Sequence, residues 1–114
     1  MIPSGARVML RAGAVDFRKG PEGLVALVRD AGADPFDGSL YVFRSKRADR
    51  IKIVWWDGSG LCLFAKRLER SHFCWPSPGS FEIRLSYVQL SALVEGLDWK
   101  RIRAVEIGAP QSAG

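Results

Sequence analysis

The sequence predicts an α+β fold: a single domain with a mostly antiparallel β-sheet of about five strands and two helices packed on one side of it. The chain has 114 residues, the size of one domain, and 47% of them are apolar, which is enough for one ordinary core. Short segments of alternating apolar and polar residues indicate strands. Two other segments have helical spacing with start and stop signals. We expect an ordered core at about residues 7–107, between loose termini.

The first strand and the first helix are predicted from spacing. Arg7–Arg11 alternates, with Val8 and Leu10 on one side, as in a half-buried strand. Pro21–Ala31 is predicted to be a helix, because a leading proline suits the first helical position and Gly32 can end the helix. The residues that share its apolar face are Leu24, Leu27 and Val28.

Three strands follow as a meander. Leu40–Arg44 and Arg50–Trp56 are joined by a short loop, and Asp57-Gly58 marks a tight turn into Leu61–Lys66. Both faces of the middle strand carry large apolar side chains. We therefore expect both faces to be covered, one of them by a helix or by another subunit.

The last strand and the second helix complete the domain. Phe81–Leu85 alternates cleanly and predicts a strand. Ser86 followed three residues later by Gln89 is a capping-box pattern, so a helix should begin there and end at Gly96. A short strand or turn at Lys100–Ile107 is also predicted.

Positive charge is concentrated in the first hairpin. The chain has 17 basic and 12 acidic residues, a net charge of +5, which suits a polyanionic partner. Five of the bases lie within nine residues and could contact phosphates, with Asp49 as the sole opposing acid. Tyr41 and Phe43 flank them and could stack on unpaired bases. The alternative is a solvated hairpin whose charges protect an edge strand from aggregation. The five bases are Arg44, Lys46, Arg47, Arg50 and Lys52.

Two further basic groups could extend this surface. Lys66 and Arg67 would form one positive face with the hairpin if the sheet brings them together. Arg18 and Lys19 precede the first helix and could hold an anion at its N-terminus; alternatively, Arg18 pairs with a carboxylate while Asp16 caps the turn. The candidate nucleic-acid-binding residues are therefore Arg18, Lys19, Arg44, Lys46, Arg47, Arg50, Lys52, Lys66 and Arg67.

Trp55 and Trp56 are candidate partner-binding residues. Adjacent residues of a strand point to opposite faces, so one tryptophan should lie in the core. The other could contact a partner, because tryptophan is enriched at protein interfaces.

The sequence does not suggest a catalytic centre. Cys62, His72 and Cys74 are three potential ligands, whereas a structural zinc site needs four. No nucleophile elbow, P-loop or dinucleotide fingerprint occurs. The twelve acids are scattered, mostly at turns and caps, which argues against a carboxylate–metal nuclease. We expect no metal, no cofactor and no enzymatic activity. With neither a membrane span nor a secretory leader evident, we expect a cytoplasmic location.

A series of motifs in fixed order resembles a known family. They cover about Arg7 to Trp99 and closely resemble the protein of the second open reading frame, often called TnpB, in transposons of the insertion sequence 66 family. The resemblance implies an accessory factor for DNA transposition that works beside a larger, catalytic transposase, and it supplies no catalytic residues. The matching segments are 16–20, 24–28, 34–44, 47–69, 73–76 and 97–99.

Three hypotheses follow. In the first, a non-catalytic accessory protein contacts DNA, with transposon ends as the expected ligand, through the basic hairpin. In the second, the protein is an adaptor for the element-encoded transposase and has no direct DNA contact. The third and weakest is a small metal-dependent nuclease. Homo-oligomer formation is left open by the sequence.

Overall fold

In residues 2–76 and 82–102, which the computed structural model describes, five strands form one sheet. The predicted order β-α-β-β-β-β-α is confirmed, and a 3-10 helix at Trp99–Arg101 follows. Two parts of the prediction lie outside the described residues: Phe81, at the start of the last predicted strand, and residues 103–107, in the predicted strand or turn near the C-terminus. The elements are β1 (Val8–Arg11), α1 (Pro21–Asp30), β2 (Leu40–Arg44), β3 (Arg50–Trp56), β4 (Leu61–Arg67), β5 (Glu82–Leu85) and α2 (Tyr87–Val94).

The strand order in the sheet is β4-β3-β2-β1-β5. The predicted meander is present, since β2, β3 and β4 pair antiparallel in sequence order. β1 lies between β2 and β5; it pairs antiparallel with β5 and parallel with β2. Parallel neighbours need a crossover connection, and α1 provides it. The prediction of a mostly antiparallel sheet is confirmed.

The two helices cover opposite faces of the sheet, so the expectation that both pack on one side is wrong. α1 packs on a cluster that includes Tyr41, Phe43 and Val54. α2 packs on the other cluster, which includes Val42 and Ile53. Because successive residues of β2 and β3 point to opposite faces and both sets include buried apolar side chains, each face needs its own cover. The expectation that both faces are covered is therefore confirmed.

The helix ends follow the local signals. The Ser86 hydroxyl accepts a hydrogen bond from the Gln89 amide (3.1 Å), and the Gln89 side-chain oxygen accepts one from the Ser86 amide (3.0 Å). This reciprocal capping box starts α2 as predicted. Gly32 and Gly96 adopt φ values of +88° and +80°, which end the two helices at little steric cost. α1 begins at Pro21 without a side-chain cap.

Candidate nucleic-acid interface

The turn between β2 and β3 is held together by its own backbone and by one side chain. The Ser45 amide donates to the Arg50 carbonyl and the Ala48 amide to the Ser45 carbonyl, each at 3.0 Å. The Ser45 hydroxyl donates to the Asp49 carboxylate at 3.1 Å. This contact draws the hairpin's sole acid into the loop, so the loop presents mainly positive charge to solvent.

The chain after β4 is fastened to the same turn. The Leu68 amide donates to the Asp49 carbonyl (2.8 Å), and the Phe73 amide donates to the Ala48 carbonyl (2.6 Å). These bonds bring Arg67, the last residue of β4, beside the hairpin. The sheet therefore joins the hairpin cluster to the second basic cluster at Arg67.

Arg50 and Arg67 are direct partners in the β3–β4 register. The backbone bond between Leu68 and Asp49 flanks this pair, which therefore occupies a non-hydrogen-bonded site of the ladder. At such sites the Cα atoms are only about 4.5 Å apart and the side chains lie closest together. Arg50 is on the α1 face, because it alternates with Val54 of the α1 cluster.

Four exposed cations converge at this end of the sheet, which we call the basic corner. In the residues the structure describes, the ion pairs within 4 Å are those of Arg7 with Asp37 and of Arg18 with Asp16. The cations of the corner thus have no carboxylate partner among the described residues. The basic corner consists of Lys46, Arg47, Arg50 and Arg67.

Arg44 instead supports the hairpin from inside. Its guanidinium group donates to the carbonyl oxygens of Ala12 (3.1 Å), Ser45 (3.3 Å) and Lys46 (3.2 Å). Three carbonyls therefore engage the cation, and Arg44 lies on the α2 side of the sheet, opposite Ile51. Its guanidinium group is engaged within the fold and is not part of the basic corner.

Lys52 and Lys66 are also engaged internally. The Lys52 ammonium donates to the carbonyl oxygens of Phe17 (2.9 Å) and Lys19 (3.0 Å) and lies 4.9 Å from the centre of the Phe17 ring. The Lys66 ammonium donates to the Val94 carbonyl at 2.9 Å. Both lysines hold elements together, and neither is part of the basic corner.

Arg18 pairs with Asp16, as the alternative interpretation predicted. Its guanidinium donates to both carboxylate oxygens, with a shortest distance of 2.8 Å. These bonds, with one from the Arg18 amide, lower the pKa of Asp16 to about 2. Arg18 still projects into solvent, while Lys19 is half-buried and uses its carbonyl to hold Lys52. Asp16 thus orders this turn and does not cap α1.

The aromatic residues beside the hairpin are buried. Tyr41 and Phe43 lie under α1, and the Tyr41 hydroxyl donates to the Asp34 carbonyl at 3.0 Å. The hypothesis that these rings stack on unpaired bases is therefore wrong. Alternation places both rings on one face of β2, but it does not show how completely α1 covers that face.

The tryptophan pair divides as predicted between core and surface. Trp55 is the core residue, with only 7% of its surface exposed on the α2 side. Trp56 is half-buried on the other face, where its ring meets Phe36 edge to face at 5.4 Å. Phe36 is 44% exposed, and the Arg29 guanidinium lies 5.7 Å from its ring centre. Sequence analysis missed this patch, although an apolar ring inside a Pro-Phe-Asp-Gly turn was a visible signal.

The potential metal ligands do not assemble in the described part of the chain. No group of three or more His, Cys, Asp or Glu side chains there could hold a metal ion. The Cys62 thiol donates to the Asp57 carboxylate at 3.4 Å. Desolvation, followed by this bond, raises the pKa of Cys62 above its ordinary value. Within the same residues, no helix has the length and apolar character to cross a membrane.

Comparison with known proteins decides the family. The family described as IS66 Orf2 like protein matches residues 6–104. The chain belongs to this family. An IS66 Orf2-like sequence supports an accessory role in the transposition of insertion sequences, in agreement with the resemblance described above. No solved structure matches the chain significantly.

Two curated relatives extend over nearly the whole chain. Both come from Sinorhizobium fredii (strain NBRC 101917 / NGR234) and are described as uncharacterized proteins, y4jC and y4hO. The first is 44% identical over 107 residues, which cover 93% of this chain and 92% of the relative. The second is 43% identical over 103 residues, or 88% of this chain and 90% of the relative. The matches to these two relatives therefore extend over most of the residues described here.

Proposed function

We propose that the protein is a non-catalytic accessory factor in the transposition of an IS66-type element, and that it contacts DNA through the basic corner. One observation carries the DNA contact: the exposed cations of the corner have no carboxylate partner among the described residues. Cations of this kind can neutralise phosphates and release the condensed counterions of DNA. A separate transposase carries out the strand cleavage.

Binding of this type is weak and depends on salt. Sequence-independent contact gives a Kd on the order of 10⁻⁴–10⁻⁶ M at physiological salt. Each phosphate neutralised on duplex DNA contributes a slope of about −0.9 to the plot of log K against log salt concentration. Contacts from the four cations of the corner would therefore give a slope no steeper than about −3.6.

A titration of the purified protein with labelled DNA tests the proposal. The triple variant Lys46→Glu/Arg47→Glu/Arg50→Glu should lose binding to duplexes that carry transposon-end sequences. The matched control is Arg84→Glu/Lys100→Glu/Arg101→Glu, which has the same net charge and changes only exposed residues away from the corner. Equal loss in both variants would show that net charge matters and the corner does not. Absence of wild-type binding at low salt would refute the DNA contact.

The non-catalytic part of the proposal has its own test. It is supported by the family and by the scattered positions of the acids, of which Asp16 and Asp57 are engaged in local hydrogen bonds. Incubation of end-labelled duplex with the protein and Mg²⁺ or Mn²⁺ should leave the DNA intact. Cleavage that is lost on Asp16→Asn or Asp57→Asn substitution would revive the nuclease hypothesis.

A second candidate function is that of an adaptor for the transposase. It is favoured by the exposed ring of Phe36, packed between Trp56 and Arg29, since aromatic and arginine side chains dominate binding energy at interfaces. Phe36→Ala should weaken co-purification with the transposase of the same element, in the presence of nuclease. Val88→Ala is the control, because Val88 is also an exposed apolar residue but lies on α2, which covers the other face. Retention of the complex by Phe36→Ala would exclude this patch as the docking site.

A further inference from the structure

We infer that the basic corner binds the backbone of duplex DNA, with Arg50 and Arg67 together holding one phosphate; this rests on the DNA contact proposed above. The two arginines are direct cross-strand partners at a non-hydrogen-bonded site, where side chains approach each other most closely. Both are exposed and point to the same face of the sheet. One anion can therefore be reached by both.

Without a bound anion, the repulsion between Arg50 and Arg67 destabilises the β3–β4 ladder. Like charges directly opposite each other in an antiparallel ladder destabilise it. The acids nearest along the chain are Asp49, which accepts a hydrogen bond from the Ser45 hydroxyl, and the exposed Glu69. Neither arginine has a carboxylate within 4 Å among the described residues. A phosphate placed between two guanidinium groups removes the repulsion and accepts charge-assisted hydrogen bonds from both. The geometry therefore favours a phosphate oxyanion over a neutral base edge.

The surroundings of the pair favour duplex over single-stranded DNA. Proteins that bind single strands combine positive charge with exposed aromatic rings on which bases stack. Here Tyr41, Phe43 and Phe73 are buried, and the Phe17 ring lies under the Lys52 ammonium. One exposed ring lies near the hairpin turn: that of His72, which directly precedes Phe73, the residue whose amide bonds to the Ala48 carbonyl. Among the described residues, the corner therefore offers several cations and, apart from His72, no exposed ring for stacking, which favours contact with phosphates over base reading.

Two consequences distinguish this mode of binding. The charge density of duplex DNA is higher than that of a single strand, so the duplex should bind more tightly. Phosphate contacts carry no direct sequence information, so transposon-end duplexes and unrelated duplexes should bind alike. Any preference for the ends would then come from the transposase.

Fluorescence anisotropy with the full chain tests both consequences. The probes are a labelled transposon-end duplex of about 20 base pairs, a scrambled duplex and each separated strand, titrated between roughly 50 and 200 mM salt, the range over which phosphate contacts lose affinity. We expect the two duplexes to bind within about twofold of each other and several-fold more tightly than either strand. His72→Ala should bind like the wild type. A preference for single strands, or loss of binding in His72→Ala, would overturn the inference.

The shared phosphate is tested by comparing the salt slope of a double variant at the pair with that of a charge-matched control. Arg50→Gln/Arg67→Gln should reduce the magnitude of the salt slope by about one, because one phosphate contact is lost. A reduction by about two would mean that the arginines hold separate phosphates and would overturn the inference that they share one. Arg84→Gln/Lys100→Gln serves as the charge-matched control and should leave the slope unchanged. If the wild type binds neither form of DNA, the proposed function fails and this inference fails with it; single-strand preference overturns the inference alone.

Discussion

The ammonium group of Lys66 donates a hydrogen bond to the carbonyl oxygen of Val94, the last residue of α2, across 2.9 Å. The last carbonyls of a helix lack partners within the helix and carry partial negative charge, so a cation there is favourable. β4 is an edge strand of the sheet. This bond therefore fastens the edge of the sheet to the helix that covers it.

Replacement of Lys66 should affect stability and leave DNA binding unchanged. Lys66→Met removes the bond to the Val94 carbonyl while keeping the apolar stem, and we expect the free energy of unfolding to fall by about 1 kcal/mol. Urea denaturation followed by tryptophan fluorescence measures the change. Lys66→Arg, which keeps the charge and the donor, should recover part of the loss. Weaker DNA binding with unchanged stability would return Lys66 to the interface.

Replacement of Lys52 should loosen the segment before α1. The Lys52 ammonium joins β3 to the carbonyls of Phe17 and Lys19, so Lys52→Met leaves two half-buried acceptors without their charged donor. We expect a loss of about 2 kcal/mol in the free energy of unfolding. Amide hydrogen exchange at Val15 and Lys19, whose amides donate to the Arg44 and Asp16 carbonyls, should become faster. Protection equal to that of the wild type would contradict this role.

Ala48 is strained, and glycine at this position should stabilise the protein. Its φ of 59° lies in the left-handed region, which costs a residue with a Cβ atom roughly 1–2 kcal/mol. Glycine avoids this cost but adds freedom to the unfolded chain, so we expect Ala48→Gly to raise the free energy of unfolding by about 0.5–1 kcal/mol. Thermal and urea unfolding both report it. A decrease in stability would mean that the Cβ atom makes a favourable contact that outweighs the strain.

The turn between β3 and β4 should lose stability in acid. The amides of Ser59 and Gly60 donate to the Asp57 carboxylate at 2.9 Å each and lower its pKa to about 2. Because the pKa is lower in the folded protein than the ordinary value of about 3.9, the ionised carboxylate stabilises the turn above about pH 4. This contribution is lost as the pH falls from about 4 through 2. An NMR titration of the Asp57 carboxyl carbon should give a midpoint near 2, and Asp57→Asn, which cannot ionise, should remove this part of the acid dependence. A midpoint near 4 would contradict the hydrogen-bonded turn.

Much of the secondary structure could be predicted because its signals are local. The exchange of hydrogen bonds between Ser86 and Gln89 depends on residues three apart, and the bounds of β2 and β3 follow from alternation that ends at turn residues. The sides on which the helices pack could not be predicted this way. A helix pattern specifies which of its own faces is apolar and says nothing of which face of the sheet receives it.

The same limit applies to the basic residues. Lys52 and Arg50 are two positions apart and look equivalent in the sequence, yet the Lys52 ammonium reaches a carbonyl 35 residues away, whereas Arg50 faces another cation. The spacing of Arg50 and Arg67 in the chain does not predict that they are cross-strand partners. Their register follows from the lengths of β3, β4 and the turn that joins them. The density of positive charge in the sequence thus identifies the basic region. Tertiary contacts then determine which of its cations are exposed.

The position of β1 in the sheet has a consequence for how the protein is made. This strand comes first in the sequence, but both of its neighbours are distant along it: Val8 pairs with Leu40 on one side and with Leu85 on the other. Closing such long loops is entropically costly and slows folding. During synthesis the sheet cannot be completed until β5 has left the ribosome. A chain cut short before β5 would expose one side of β1 together with the apolar face that α2 normally covers, and such a fragment should aggregate or be degraded.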